Sequence, residues 1–297
     1  MIVPMSKITL LGLSSQKEAL LRQLMRFGCV EVTDISDASA FLSKEEQQEY
    51  QQAKGGGIRY REMRESSKNA LEILKEYAPE QKKKGLFYQK RQVQERFFSE
   101  ELMAEKSARG AAEAINELGR RMNRLKNEKN QLENQLESIK PWEKLPFAFD
   151  SRGTRTTKTY AGTFLRSVDL EELKKELDLL ELVSFDTLSE NNECYYVYLV
   201  FHRAIERQIK ELLRKYSFNR VRFEKQKGTY QEVSGEIKRQ LRENEKQTQG
   251  VLSEIEEQSG WKEQLQLLCD YLSYRIDREN AAEHLFSTKN MFVLDGY

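Results

Sequence analysis

The chain is poor in the residues from which catalytic and metal sites are usually built. Of its 297 residues, two are histidine and three are cysteine. Cys29, Cys194 and Cys269 lie far apart, and no Cys-x-x-Cys or His-x-x-x-His spacing joins them into a metal site. Each cysteine falls on the apolar face of an expected element, so buried, reduced thiols in a cytosolic protein are expected. Proline is scarce as well, at four residues, while a tenth of the chain is aromatic; disordered chains have the opposite balance. Long apolar runs are missing. The longest, around Ile8–Leu13 and Tyr195–Phe201, are too short to cross a bilayer. No basic segment followed by an apolar core opens the chain. The net charge is only +1, so no global pull toward nucleic acid or anionic lipid follows. Gly55-Gly56-Gly57 has neither a Gly-Lys-Ser/Thr ending nor a preceding strand. It reads as a helix break rather than a phosphate loop.

What the chain has is charge in periodic order. Charged residues make up 33% and the mean hydropathy is −0.75, the balance of long solvated helices. Ala111, Ile115, Leu118, Met122, Leu125, Lys129, Leu132, Leu136 and Ile139 alternate in steps of four and three. So do Ile237, Leu241, Asn244, Thr248, Val251, Ile255, Gln258, Lys262, Leu265, Cys269, Leu272 and Ile276. Such spacing puts one narrow apolar seam on each helix, suited to another helix. The polar seam residues weaken the pairing but fix its register, or mark where a third helix joins.

The segments around these helices read as two small lobes. Lys7–Leu13 is an apolar strand, and Ser15-Gln-Lys-Glu18 is a capping box opening a short helix. On that helix Leu20, Leu21, Leu24, Met25 and Phe27 face inward, and Gly28 ends it. Cys29–Ile35 alternates apolar and polar residues as a second strand. A βαβ unit results, which cannot bury its sheet alone. Ser43 starts a polar helix that resumes at Ile58 with Met63, Ala70, Leu74 and Tyr77 as its seam. A longer helix runs from Val93 to Lys140, where Pro141 stops it. Between the two seams, strands at Lys158–Arg166, Leu180–Leu188, Cys194–Phe201 and Phe218–Phe223 alternate with helices after Asp169 and Arg203. That order is βαββαβ, the ferredoxin-like split. Asn191 and Asn192 form a hairpin turn in which asparagine tolerates positive φ. Thr229-Tyr-Gln-Glu232 is another capping box, opening a helix to Leu285 of about 80 Å. Met291–Tyr297 is a strand with no sheet in reach except the first βαβ unit, as though the sequence were a fragment.

The expected fold is therefore α+β: a ferredoxin-like head and a partial βαβ lobe joined by a long antiparallel coiled-coil arm. The expected domains are 1–42 with 286–297, the arm 43–157 with 228–285, and the head 158–227. No catalytic, cofactor or metal residue is expected. His202 and His284 sit at helix termini without a nucleophile or carboxylate at a catalytic spacing. The one local charge asymmetry lies in the head, where Arg203, Arg207, Lys210 and Arg214 recur at steps of four, three and four. Arg220, Arg222, Lys225 and Lys227 follow closely. A solvated face and a docking surface for an acidic protein both fit. Nucleic acid is the third reading of the stripe and, with a coiled-coil scaffold, the alternative function; Tyr195, Tyr196 and Tyr198 alternate on the central strand but lack the glycines of an RNA-binding sheet, and no nucleic-acid partner is expected. A coiled-coil scaffold of the SMC type would need a phosphate loop that is absent.

Met5–Leu13, Leu24–Val32 and Asn290–Tyr297, in this order around the arm and head, resemble the cytosolic N-terminal half of subunit I of A/V-type ATPases, called subunit a in eukaryotic V-ATPases. The resemblance covers essentially the whole chain; Tyr297 stands where that family usually has tryptophan. It implies a non-catalytic stator subunit of a proton-translocating complex, at the cytoplasmic face of the membrane, followed by a C-terminal membrane domain. The implied partners are the peripheral stalks, heterodimers of subunits E and G, and a rotor-cap subunit. No cofactor and no small-molecule substrate are implied. Arg203, Arg207, Lys210 and Arg214 are the candidate docking residues.

Overall fold

The computed structural model of the chain describes residues 5–35, 56–79, 102–223, 226–287 and 290–297. The fold is mixed α/β, with two separate sheets and long helices. The chain divides into two units: residues 1–121 with 251–297, and residues 122–250. The helix starts read at Ser43 and Val93 lie outside the described residues.

The first unit is built on β1 (Ile8–Leu13), α1 (Lys17–Phe27), β2 (Val32–Thr33), α2 (Gly56–Tyr77) and the start of α3 (Leu102–Ile139). The chain returns to it at the end of α6 (Tyr230–Glu257), then through α7 (Lys262–Glu283), β7 (Phe286–Ser287) and β8 (Met291–Gly296). β8 lies between β1 and β2, antiparallel to both, and β7 pairs with β8 as well. The final strand thus completes the sheet that a single βαβ unit left open. Its alternation decides the packing: Phe292 and Leu294 are buried with Leu21 of α1 and Leu285, while Leu10, Leu24 and Val32 pack around them. Leu10 stands opposite Leu294, and Gly12 opposite Phe292. A Cβ at Gly12 would come within 2.8 Å of the Phe292 ring, so only glycine leaves the ring its space.

Several local expectations need correction. The capping box at Ser15 does not form: Ser14–Gln16 make a 3₁₀ turn, and Gln16 precedes α1 without a side-chain cap. Phe27 is exposed rather than inward. It is the last residue of α1, where the chain turns away through Gly28 at φ 61°. The second strand shrinks to two residues, which leaves Cys29 exposed in the loop before it, while Cys194 and Cys269 are half-buried.

Three helices pack in the same unit. Tyr60 of α2 meets Arg275 of α7, and Arg61 meets Asn280. Ala108 of α3 is buried with Leu268, Tyr271 and Leu272 of α7, against Tyr60 and Met63. Asn116 of α3 donates to the Ser66 carbonyl of α2 at 2.8 Å. The seams read as a helix pair are therefore joined here by a third helix. The long returning helix is also not continuous, because Gln258–Trp261 form a 3₁₀ turn between α6 and α7. Ser259 and Gly260 favour the tighter turn at that point.

The second unit holds the rest of α3 and α6, which run antiparallel. Asn244 reaches the Leu125 carbonyl, and Lys129 pairs with Glu245 at 3.6 Å. Ile237 packs with Leu132 and Ile139 nearer the other end. Proline at the start of the 3₁₀ turn Lys140–Trp142 ends α3. Thr229 and Glu232 form the expected box at the start of α6: the Thr229 N–H donates to Glu232 at 2.7 Å and the Glu232 N–H to the Thr229 hydroxyl at 3.4 Å. Between them lie β3 (Thr157–Leu165), α4 (Leu170–Asp178), β4 (Val183–Glu190), β5 (Cys194–His202), α5 (Glu206–Lys215) and β6 (Asn219–Val221).

The sheet order is β4-β5-β3-β6, with every pair antiparallel. One face buries Phe164, Val197, Leu199 and Phe201 under Leu173 and Leu177 of α4 and Ile209 and Leu213 of α5. The other packs on Ile139, Trp142, Leu145 and Phe149. The hairpin at Asn191 works differently from the reading above. Asn191 has no positive φ; its side-chain oxygen instead accepts from the N–H groups of Glu193 and Cys194, at 2.9 and 2.7 Å.

Candidate functional site

Among the described residues no group of acidic, histidine or cysteine side chains could hold a metal ion. The candidate site is cationic, and it is built in the second unit. His202 ends β5 and caps the next turn, its Nδ1 accepting from the Ala204 N–H at 3.2 Å. Capping is its structural work, and His284 likewise lies at the end of α7.

The turn after His202 splits the predicted basic stripe. Arg203 sits on a 3₁₀ turn rather than on the helix, and its guanidinium donates to the Thr154 carbonyl at 3.0 Å. Arg207, Lys210 and Arg214 remain on α5, all exposed. Arg207 pairs with Glu211 at 3.1 Å, its side chain 92% exposed. Lys210 pairs with Glu206 at 2.8 Å, and Lys158 of β3 reaches the same carboxylate at 2.6 Å. Hydrogen bonds from Lys158 and then Lys210 hold the Glu206 carboxyl down to about 2. Two of the stripe's cations thus have carboxylate partners one turn away, which weakens its outward field.

Arg203 instead joins a second group. A cleft of about 760 Å³ beside the β3–β6 edge is lined by Arg152, Lys158, Arg203, Arg220, Arg222 and Lys227. Among the described residues Asp150 is the one carboxylate on its wall. The Asp150 carboxyl lies below its ordinary value, first because the Gly228 N–H donates to it and, less, because of the nearby Lys227 charge. The guanidinium of Arg220 stacks over the Tyr160 ring at 3.8 Å. Phe147, Phe149 and Phe223 complete the apolar part of the wall.

The sequence pattern pointed to Arg220, Arg222 and Lys227 as basic but assigned them no site, and it missed Arg152 and Lys158. Its signal was there, in the Arg152, Arg155 and Lys158 spacing of a stretch read only as a polar approach. The tyrosines of β5 are not a base-stacking platform. Tyr196 meets Trp142 edge-on at 5.3 Å and Tyr198 meets Phe147 at 5.8 Å, so this sheet face is already covered.

No known family model matches the chain, and no curated protein sequence is similar to it. A solved structure is. It is the crystal structure of the cytoplasmic N-terminal domain of subunit I, homolog of subunit a, of V-ATPase. The two chains are 16% identical and superpose with a TM-score of 0.50, over 99% of this chain and 93% of that one. The likeness is one of fold. No helix among the described residues is long and apolar enough to cross a membrane.

Proposed function

We propose that the chain is the cytosolic half of a non-catalytic stator subunit in a rotary, proton-translocating A/V-type ATPase. The observation that carries this reading is the fold likeness to a subunit I domain, which runs through nearly the whole of both chains. In this reading the second sheet and its two helices form a ferredoxin-like head at 158–227. Residues 1–42 with 286–297 form the other lobe. The helices of 43–157 and 228–285 form a coiled-coil arm between them. The domain stands at the cytoplasmic face of the membrane, ahead of a membrane domain, and anchors peripheral stalks made of subunits E and G. A rotor-cap subunit is a further partner. Such a part resists torque and performs no bond chemistry.

The docking residues proposed on the head are Arg203, Arg207, Lys210 and Arg214. Their support is exposure and charge on one helix and the turn before it. The test is binding of the purified E–G heterodimer to this chain, followed by calorimetry. Binding is expected, and charge reversal at Arg207 and Arg214 should weaken it and flatten its salt dependence. Absence of any E–G binding overturns the stator reading. Binding that is indifferent to both reversals leaves the stator reading and removes these residues from the interface.

A further inference from the structure

The cleft beside β6 is not accounted for by a docking helix. Six cations from separate parts of the chain line it: Arg152 before β3, Lys158 on β3, Arg203 after β5, Arg220 and Arg222 at β6, and Lys227 before α6. Like charges brought into one concave site repel; among the described residues Asp150 is the one carboxylate on the wall, and of the six cations Lys158 is already paired, with Glu206 at 2.6 Å. Asp150 is itself engaged by the Gly228 N–H at 3.1 Å.

The cleft lies beside β6. That strand pairs with β3 only at Ala161–Thr163, and the earlier residues of β3 border the cleft. Two of the guanidinium groups are already held in place, Arg220 by the Tyr160 ring and Arg203 by the Thr154 carbonyl. Pre-ordered donors lose less entropy when a ligand arrives. Arg152 and Arg222 make no hydrogen bond or ion pair among the described residues. Four of the six are arginine, whose planar fork matches phosphate oxygens two at a time. The volume, about 760 Å³, suits a small molecule rather than a polymer track.

We propose that this cleft binds a compact, soluble anion carrying two or more phosphate groups. The proposal does not depend on the stator reading: Arg203 is common to both, but Arg152 and Arg222, on which the test rests, are not among the docking residues.

Tripolyphosphate, titrated calorimetrically into the 297-residue chain, is the probe, with inorganic phosphate as the single-group comparison. Tripolyphosphate should bind at one site, at least about tenfold tighter than phosphate, because separate guanidinium groups engage separate phosphates. The double variant Arg152→Glu/Arg222→Glu should lose at least about tenfold in affinity, by repulsion at the site. The double variant Lys175→Glu/Lys238→Glu makes the same charge change on exposed helix positions. It should stay within about twofold, because screening limits remote charges.

Equal binding of phosphate and tripolyphosphate overturns the proposal, as does an equal loss in both double variants. So does tighter binding of a single-stranded oligonucleotide that displaces tripolyphosphate. If the cleft variant does not fold, hydrogen exchange in the natural chain decides. Tripolyphosphate should slow exchange at Ser151–Thr154 and Arg220–Arg222, and unchanged exchange there overturns the site.

Discussion

Asn244 of α6 donates its side-chain N–H to the backbone carbonyl of Leu125 on α3 at 3.1 Å, in a seam where Asn244 is 4% exposed. Its Oδ1 is buried and meets no donor among the described residues. One side of the amide therefore fixes which turn of α3 faces which turn of α6, and the other side carries a desolvation cost. Asn244→Leu should leave the second unit as stable or stabilise it by about 1 kcal/mol, since the orphaned oxygen disappears with the hydrogen bond. Urea unfolding followed by circular dichroism measures this. A loss of stability would show that the Leu125 hydrogen bond outweighs the orphaned oxygen.

Leu294 is fully buried opposite Leu10, and its neighbour Phe292 fills the space over Gly12. Leu294→Ala should destabilise the first unit by about 2–5 kcal/mol through lost burial and the cavity left behind. Deleting residues 291–297 goes further and should speed hydrogen exchange across Ile8–Leu13 while leaving β5 protected. Unchanged protection of β1 in the shortened chain would contradict the role given to β8.

Glu206 supplies a pH dependence with a definite sign. Its carboxyl is held at about 2 in the folded chain, against an ordinary value of 4.5, by the hydrogen bonds from Lys158 and Lys210. A depressed carboxyl contributes stability that is complete above the unfolded value and disappears as pH falls toward the folded one. Between pH 4.5 and about 2 the natural chain should therefore lose melting temperature more steeply than Glu206→Gln. Near neutral pH the variant should be the less stable of the two. Parallel melting curves would show that solvent screening cancels both ion pairs.

The three thiols should separate by accessibility. Cys29 is exposed, whereas burial pushes the half-buried Cys269 thiol up to about 11. Iodoacetamide at pH 8 should modify Cys29 first and reach Cys269 only after denaturation, because the thiolate is the reacting form. Peptide mass spectrometry reads the order, and early modification of Cys269 would contradict its burial.

The seams were legible because burial on a helix repeats with the helix. Ala111, Ile115, Met122, Leu125, Leu132 and Ile139 are buried in α3, and Ile237, Val251, Ile255, Leu265, Leu272 and Ile276 in α6 and α7. Caps made of residues a few positions apart were legible where both partners survive. The Thr229–Glu232 box is formed, and Asp169 accepts from the Glu171 and Glu172 N–H groups. The Ser15 box failed because a 3₁₀ turn took its place, a choice set by how β1 hands the chain to α1.

The candidate site was less legible, because its parts are distant in sequence. Arg203 was read on a helical stripe from its spacing alone, and one 3₁₀ turn moved it beside Arg220 and Arg152. Tyr196 and Tyr198 alternate as an exposed platform would, yet Trp142 and Phe147 cover them. No local pattern announces a covering residue some fifty positions away.

By itself the sequence determined which residues turn inward along the long helices, where proline ends α3, and that a terminal apolar strand needs a sheet. Those outcomes follow from local periodicity and backbone sterics. Only the tertiary structure decided that β8 would lie between β1 and β2, that a third helix would join the seam, and that six cations from scattered segments would line one cleft. Each of these rests on contacts between residues far apart in the chain, and their free energy depends on distances that spacing along the sequence does not encode.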